Sequence, residues 1–292
     1  MTNAVAFAPG HISGFFQPVY DPANIYRTGS RGAGFSVSLG ATSKVSIEPG
    51  KTQRIVTILN GTVSESSLIE TCIRSLIGTK KMIITCNIHF DLPVSQGFGM
   101  SAASVLSTAL ALAECIGLSS DDAIRAAHAA EVSMKTGLGD VIGSSQGGFE
   151  IRSMPGIPPD GKIMKMAKEC DMVLCVVDKA IVTKDVLSDK KKKRSINIYG
   201  GSCTDALLVN PTIEEFFSLS ELFTRKTGLA TNQVLQVIDM VKKKGQASMC
   251  MLGGSIFATG NIQQLAETLR FFGTPFVTTV DIKGARLISK ND

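Results

Sequence analysis

A chain of 292 residues, 44% hydrophobic and 19% charged, has the make-up of an ordinary globular protein with enough length for two modest domains. Its net charge of +5 is small, and much of it lies in one run, Lys190 to Arg194, with no interleaved aromatic residue; this reads as a solvated loop and argues against a nucleic-acid surface. The seven cysteines (Cys72, Cys86, Cys115, Cys170, Cys175, Cys203, Cys250) form no C-x-x-C pair and the three histidines stand apart, which excludes a zinc knuckle and a disulfide framework and points to a reducing, cytoplasmic setting.

Taken in order, short apolar runs at Ala4 to Ala8, Gly34 to Leu39 and Arg54 to Leu59 are punctuated by Pro and Gly and predict strands of an antiparallel sheet. From Ser64 to Ile77 the apolar residues recur at helical intervals, and Met82 to Phe90 alternates as a strand. A long small-residue helix follows from Met100 to Ile116, closed by Gly117, and Ser119 to Asp122 caps a second that runs to about Met134. A glycine-rich turn, Gly137 to Gly148, leads to Met154–Gly161, whose three prolines mark the expected junction between domains at 1–158 and 159–292. Beyond it come a strand at Met172 to Val177, helices at Ser218 to Thr224 and Ala230 to Val241, and strands at Ala247 to Leu252 and Ile256 to Thr259. A helix at Ile262 to Phe272 and a strand at Phe276 to Ile282 complete an α+β second half. No leader is expected, and no window approaches ~18 apolar residues, so no membrane span is expected either.

The segment Pro93-Val-Ser-Gln-Gly97-Phe98-Gly99-Met100-Ser101-Ala102-Ala103 carries the chemistry. A glycine-rich approach to a helix N-terminus surrounds an anion with backbone N–H groups and the positive end of the helix dipole. Gly97 and Gly99 allow close approach, and the residues behind them are small. The lysine-bearing phosphate loop G-x-x-x-x-G-K-[ST] is absent, and G-x-G-x-x-G fails because position 102 is alanine. A glycine turn into a packing helix accounts for the segment equally well.

With Ala8-Pro9-Gly10-His11 near the start and Leu252-Gly253-Gly254-Ser255 near the end, the segment resembles the GHMP kinase family, in which three such motifs occur in this order. That resemblance implies an α+β two-domain fold, with a left-handed βαβ element in the N-terminal domain, a ferredoxin-like C-terminal domain and the cleft between them. It implies ATP and Mg²⁺, with Pro93, Gly97, Phe98, Gly99, Met100, Ser101, Ala102 and Ala103 around the nucleotide and Ser101 and Glu131 on the metal. It gives Asp140 the place of the residue that faces the acceptor hydroxyl, as base or as orienting group, so Asp140, Glu131 and Ser101 form the catalytic set. Many family members dimerise, so a homodimer is expected.

Two departures stand out: Met100 replaces a serine of the central motif, and His11 replaces the lysine of the opening one, which removes an ammonium group from the acceptor side. Within the family, Gly10-His-Ile-Ser-Gly-Phe-Phe16 and Gly29-Ser-Arg-Gly-Ala-Gly34 are similar to the archaeal pantoate kinases, which implies a small hydroxy acid, pantoate, as acceptor on the route to coenzyme A. His11, Ser30, Arg31, His128, Arg152, Gly253 and Gly254 are then the expected substrate-binding residues, an arginine fork being the natural receptor for a carboxylate. Another small alcohol of the homoserine or mevalonate type, or a nucleotide-binding regulator on the same fold, are the alternatives.

Overall fold

A computed structural model describes residues 2–166, 169–180 and 189–291. Two sheets organise the chain. The first has eight strands: β1 (Thr2–Val19), β2 (Gly29–Pro49), β3 (Arg54–Leu59), β4 (Thr62–Val63), β5 (Met82–Phe90), β6 (Phe149–Met154), β7 (Lys162–Met166) and β12 (Arg286–Asn291). Its main path runs β12-β1-β2-β5-β3-β4, with β6 paired to β2 and β7 to β6. β3 and β5 are parallel and joined through α1 (Ser67–Ile77), a βαβ unit in an otherwise antiparallel sheet.

The second sheet is antiparallel, in the order β11-β8-β10-β9: β8 (Asp171–Val176), β9 (Gly245–Met249), β10 (Ser255–Gly260) and β11 (Pro275–Thr279). Between β8 and β9 lie α5 (Lys190–Val209), α6 (Ile213–Thr227) and α7 (Asn232–Val241); α8 (Ile262–Leu269) joins β10 to β11. In sequence order the sheet reads fourth, first, third, second, the ferredoxin-like arrangement. Among the described residues no helix is long and apolar enough to cross a membrane.

Met154–Gly161 is the turn of the β6–β7 hairpin inside the first sheet; the change of sheet falls after β7, and the chain returns to the first sheet through β12. Two readings are corrected here. The lysine run is not a loop; Asp189 caps α5 and the run forms its solvated first turn. The first two strands extend far beyond their predicted cores, to 18 and 21 residues, because glycines and prolines that read as punctuation lie inside them. Gly14 is needed there: a Cβ on it would stand 2.1 Å from Ser220 Oγ.

The helices α2 (Met100–Ile116), α3 (Ser120–Met134) and α4 (Asp140–Gln146) pack with α1 on one side of the sheet, while α5 and α6 pack against β1 from the other. Ser119 opens α3 with a full capping box to Asp122. Strand alternation then decides what each side receives. On β6, Phe149 and Ile151 enter the core with α6, and Glu150 and Arg152 face α4. Phe216 of α6 joins the two sheets, with its ring 5.5 to 6.0 Å from those of Phe15, Phe35, Phe149 and Phe257. Phe216→Ala should therefore cost about 3–5 kcal/mol, measured as the loss of unfolding free energy in urea; a loss below about 1 kcal/mol would mean the sheets do not depend on this ring.

Candidate active site

Three glycine motifs distant in sequence meet at the N-terminus of α2. Gly99 is its N-cap, in the left-handed region with φ 65°, and no side chain caps the helix. A Cβ on Gly99 would lie 2.6 Å from the carbonyl oxygen of His11, so the opening strand presses directly on the loop. From the other side Gly253 packs on Gln96 and Gly97, where a Cβ would stand 2.0 Å from the Gln96 carbonyl. Gly254 packs on the carbonyls of Asp178 and Lys179. Gly253 thus brings the β9–β10 turn against the loop, and Gly254 fits that turn to the segment after β8.

The loop offers backbone. Phe98, Met100, Ala102 and Ala103 are buried, whereas Pro93 and Ser101 are exposed. Met100 points into the core, so the missing serine hydroxyl leaves an apolar anchor in its place. The first N–H groups of α2 have no intrahelical acceptor, and Ser101 adds a free-standing hydroxyl.

Beside this loop lies a buried charge cluster built from β1, β6, α3 and the N-terminus of α4. His11 is 1% exposed and uses both ring nitrogens: Nδ1 lies 2.7 Å from Asp140 Oδ1, and Nε2 lies 2.9 Å from Glu150 Oε1. Arg152 donates through Nη1 to the same Glu150 oxygen and through Nη2 to Ser13 Oγ, 3.2 Å away. α4 is fastened over the ring by Ser36 Oγ donating to the Gly143 carbonyl and Ser144 Oγ donating to that of Pro9.

Electrostatics follow from this geometry. Burial alone would lower the pKa of His11, but the Glu150 charge and the hydrogen bonds to Asp140 and Glu150 outweigh it, and the imidazole is raised to about 9. The lysine ammonium is absent, and in its place stands a buried histidine whose pKa is pushed up to about 9, held between two carboxyl groups. Burial works against the charged form of Asp140 too, yet the His11 hydrogen bond and the charges of His11 and Arg152 hold it below the usual carboxylate range. Glu131 goes the other way. Desolvation first and the Asp140 charge second push it to about 8, although it accepts a hydrogen bond from the Val141 N–H.

Glu131 also supplies the fit for a cation. Its Oε2 is buried without a partner, and the cluster of His11, Arg152, Asp140 and Glu150 is already neutral, so ionising Glu131 leaves one uncompensated negative charge. A hard divalent cation beside Glu131 would offset it.

The remaining predicted residues divide. Ser30 is buried, with its hydroxyl against Gly139 at the mouth of α4; the orphaned Nε of Arg152 faces the same spot. His128 is fully buried, and its Nε2 donates to the Thr28 carbonyl at 3.0 Å, so it braces the strand that bears Ser30. Arg31 is not brought into the cluster. One residue from Ser30 on β2, it points to the opposite face, donating to Asp205 and Gln17 and to the Ser153 carbonyl. Glu150 and Ser13 were missed; the signal was Glu150 two residues before Arg152 in a strand, which sets both on one face.

Residues 67–148 match the model of the GHMP kinases N-terminal domain. A pantoate kinase of Thermococcus kodakarensis is 35% identical over 260 residues, covering 87% of this chain and 86% of that protein. Another from Methanocaldococcus jannaschii is 31% identical over 281 residues, covering 94% and 99%. Among solved structures, a "phosphotransferase related to CoA biosynthesis pathway" superposes with TM-score 0.89 at 30% identity, covering 99% of each chain. A homoserine kinase of Cytophaga hutchinsonii, with TM-score 0.70 at 18% identity and 98% and 97% coverage, shares the fold.

The cluster fixes a pH dependence of stability. Native His11 keeps its proton up to about 9, whereas an unfolded chain releases it near 6.5; the native state binds more protons across that window, so stability falls as pH rises through it. Glu131 adds in the same direction between 4.5 and about 8. Urea midpoints measured in chelator should decline from about pH 6.5 to about pH 9, and Glu131→Gln should flatten the lower part of the decline; a midpoint that climbs over this range would refute a protonated His11.

Proposed function

The chain belongs to the pantoate kinases of the GHMP kinase family, and from that premise we propose that it transfers the γ-phosphoryl group of ATP to the 4-hydroxyl of pantoate. The observation that carries the reading is the union of an uncapped, glycine-flanked helix N-terminus with a partly exposed aspartate held by a buried histidine. Phosphoryl transfer asks for charge neutralisation and in-line positioning more than covalent chemistry. The open N–H groups at the start of α2 suit the nucleotide phosphates.

Ser101 and Glu131 would hold Mg²⁺, which when bound supplies charge neutralisation on the phosphates. Asp140, 31% exposed where His11 and Glu150 are closed off, faces the acceptor. A carboxylate kept below its usual pKa is a weak base but a firm acceptor of a hydrogen bond, so Asp140 orients the hydroxyl and takes its proton as the oxygen–phosphorus bond forms. Arg152 Nε and Ser30 Oγ, both aimed at the mouth of α4, suit the pantoate carboxylate and free hydroxyl; His128 supports them through Thr28. Arg31, committed to Asp205, is left out of this receptor. The reading extends to a cytoplasmic homodimer on the strength of the family resemblance.

An ADP-release assay with pantoate, homoserine and mevalonate, each with and without Mg²⁺, tests this. Pantoate should lead by about 10²-fold in kcat/KM, and release should vanish without the metal; equal rates, or homoserine ahead, would overturn the acceptor assignment. Asp140→Asn should lower kcat by about 10²-fold or more while ATP still binds, read by nucleotide titration beside turnover. Turnover at the wild-type rate would take Asp140 out of the reaction.

A further inference from the structure

Glu150 takes no part in the chemistry above, yet it joins two residues on which that chemistry depends. We propose that Glu150 is a positioning residue for phosphoryl transfer: by accepting from His11 Nε2 and Arg152 Nη1 on one oxygen, it fixes the imidazole so that Nδ1–H is aimed at Asp140. The inference rests on Asp140 being the group that meets the acceptor.

The geometry leaves the ring little choice. Carboxyl oxygens stand at both nitrogens, 2.7 Å and 2.9 Å away, and the Glu150 oxygen already accepts from Arg152 Nη1, so the ring donates to each. The ring sits in a slot made by two glycines. A Cβ on Gly34 would be 2.7 Å from Nε2, and one on Gly143 would be 2.3 Å from it. Such a slot holds the ring plane but not its sense, because an imidazole turned over about its own axis occupies nearly the same volume. The bond to Glu150 selects the sense in which a nitrogen faces Asp140.

Packing does not account for Glu150. Its Oε2 is buried with no partner, which costs free energy, and its side chain is fully enclosed. The charged groups around His11 are Asp140 from α4, Glu150 and Arg152 from β6 and, further off, Glu131 from α3; Arg152 Nη1 lies 3.4 Å from Nε2, a like-charge contact that the intervening Glu150 oxygen makes tolerable. The hydrogen-bond path therefore runs outward from a closed carboxylate, through a closed imidazolium, to the one carboxylate with solvent access.

A double-mutant cycle tests it in the full-length enzyme. Glu150→Gln should lower kcat with pantoate about 10- to 10²-fold, leaving the KM for ATP within about twofold. In an Asp140→Asn background the same change should cost less than about threefold more, because its effect passes through Asp140. Independent, multiplicative losses would overturn the proposal, as would an unchanged kcat. Should Glu150→Gln fail to fold, ¹⁵N-histidine NMR of the wild-type chain decides instead: His11 should carry protons on both ring nitrogens at about pH 7.5, and a single N–H would overturn the arrangement. Failure of the wild-type chain to release ADP with pantoate would sink the reaction assigned above but leave the NMR result untouched.

Discussion

A single imidazole held between two carboxylates is the constraint on which the site depends. An unpaired buried charge is among the costliest features a fold can carry, and here the charges of His11, Glu150 and Arg152 are enclosed together, with Asp140 at the edge open to solvent. They are tolerable because signs alternate along the contacts: Asp140 to His11, His11 to Glu150, Glu150 to Arg152. Removing any member would strand its neighbour, a loss of about 3–5 kcal/mol for such pairs. The same alternation keeps Asp140 ionised and ready to accept, while Glu131, just outside the balanced set, is left wanting a cation. Stability and chemistry thus draw on one set of contacts.

Glycine makes this closeness possible. The opening strand, the central loop and the β9–β10 turn could not meet with side chains in between: Gly99 lies on the His11 backbone, Gly253 on Gln96, and Gly34 and Gly143 on the His11 ring. The motif glycines serve three purposes that a sequence pattern does not separate. Gly97 and Gly99 take up positive φ in the loop, Gly253 brings backbone against backbone, and Gly34 and Gly143 make room for a ring.

Much of the arrangement was legible beforehand, because motif order and helical periodicity are local signals. α2 and α3 lie where Gly117 and Ser119 announced them, and Asp140 and Glu131 enter one cluster. What escaped was set by pairing across long separations. Glu150 is 139 residues from His11, and nothing near either announces the bond. β7 and β12 were missed because their value lies in their partners, β6 and β1, rather than in their own residues. α4 hid inside a stretch dense with glycine, whose helix-breaking reputation masked a short helix pinned by Ser36 and Ser144. Arg31 and Arg152 were equal candidates as letters, and strand alternation, visible only once β2 was known to run through the glycines, separated them.

Histidine rather than lysine at position 11 matters for what can be built. An ammonium on a flexible stem is a point charge that settles wherever carboxylates pull it. An imidazolium is planar, with two donors fixed on opposite edges, so it can hold two carboxylates at a set separation and transmit the position of one to the other. Such a group needs a slot and a second acid, and the chain has both: Gly34 and Gly143 for the slot, Glu150 for the acid. In a phosphoryl transfer where positioning does most of the catalysis, a rigid holder for Asp140 is worth more than mobile charge. The departure from lysine is therefore part of how this site is built, and the buried acid behind it is what makes the substitution work.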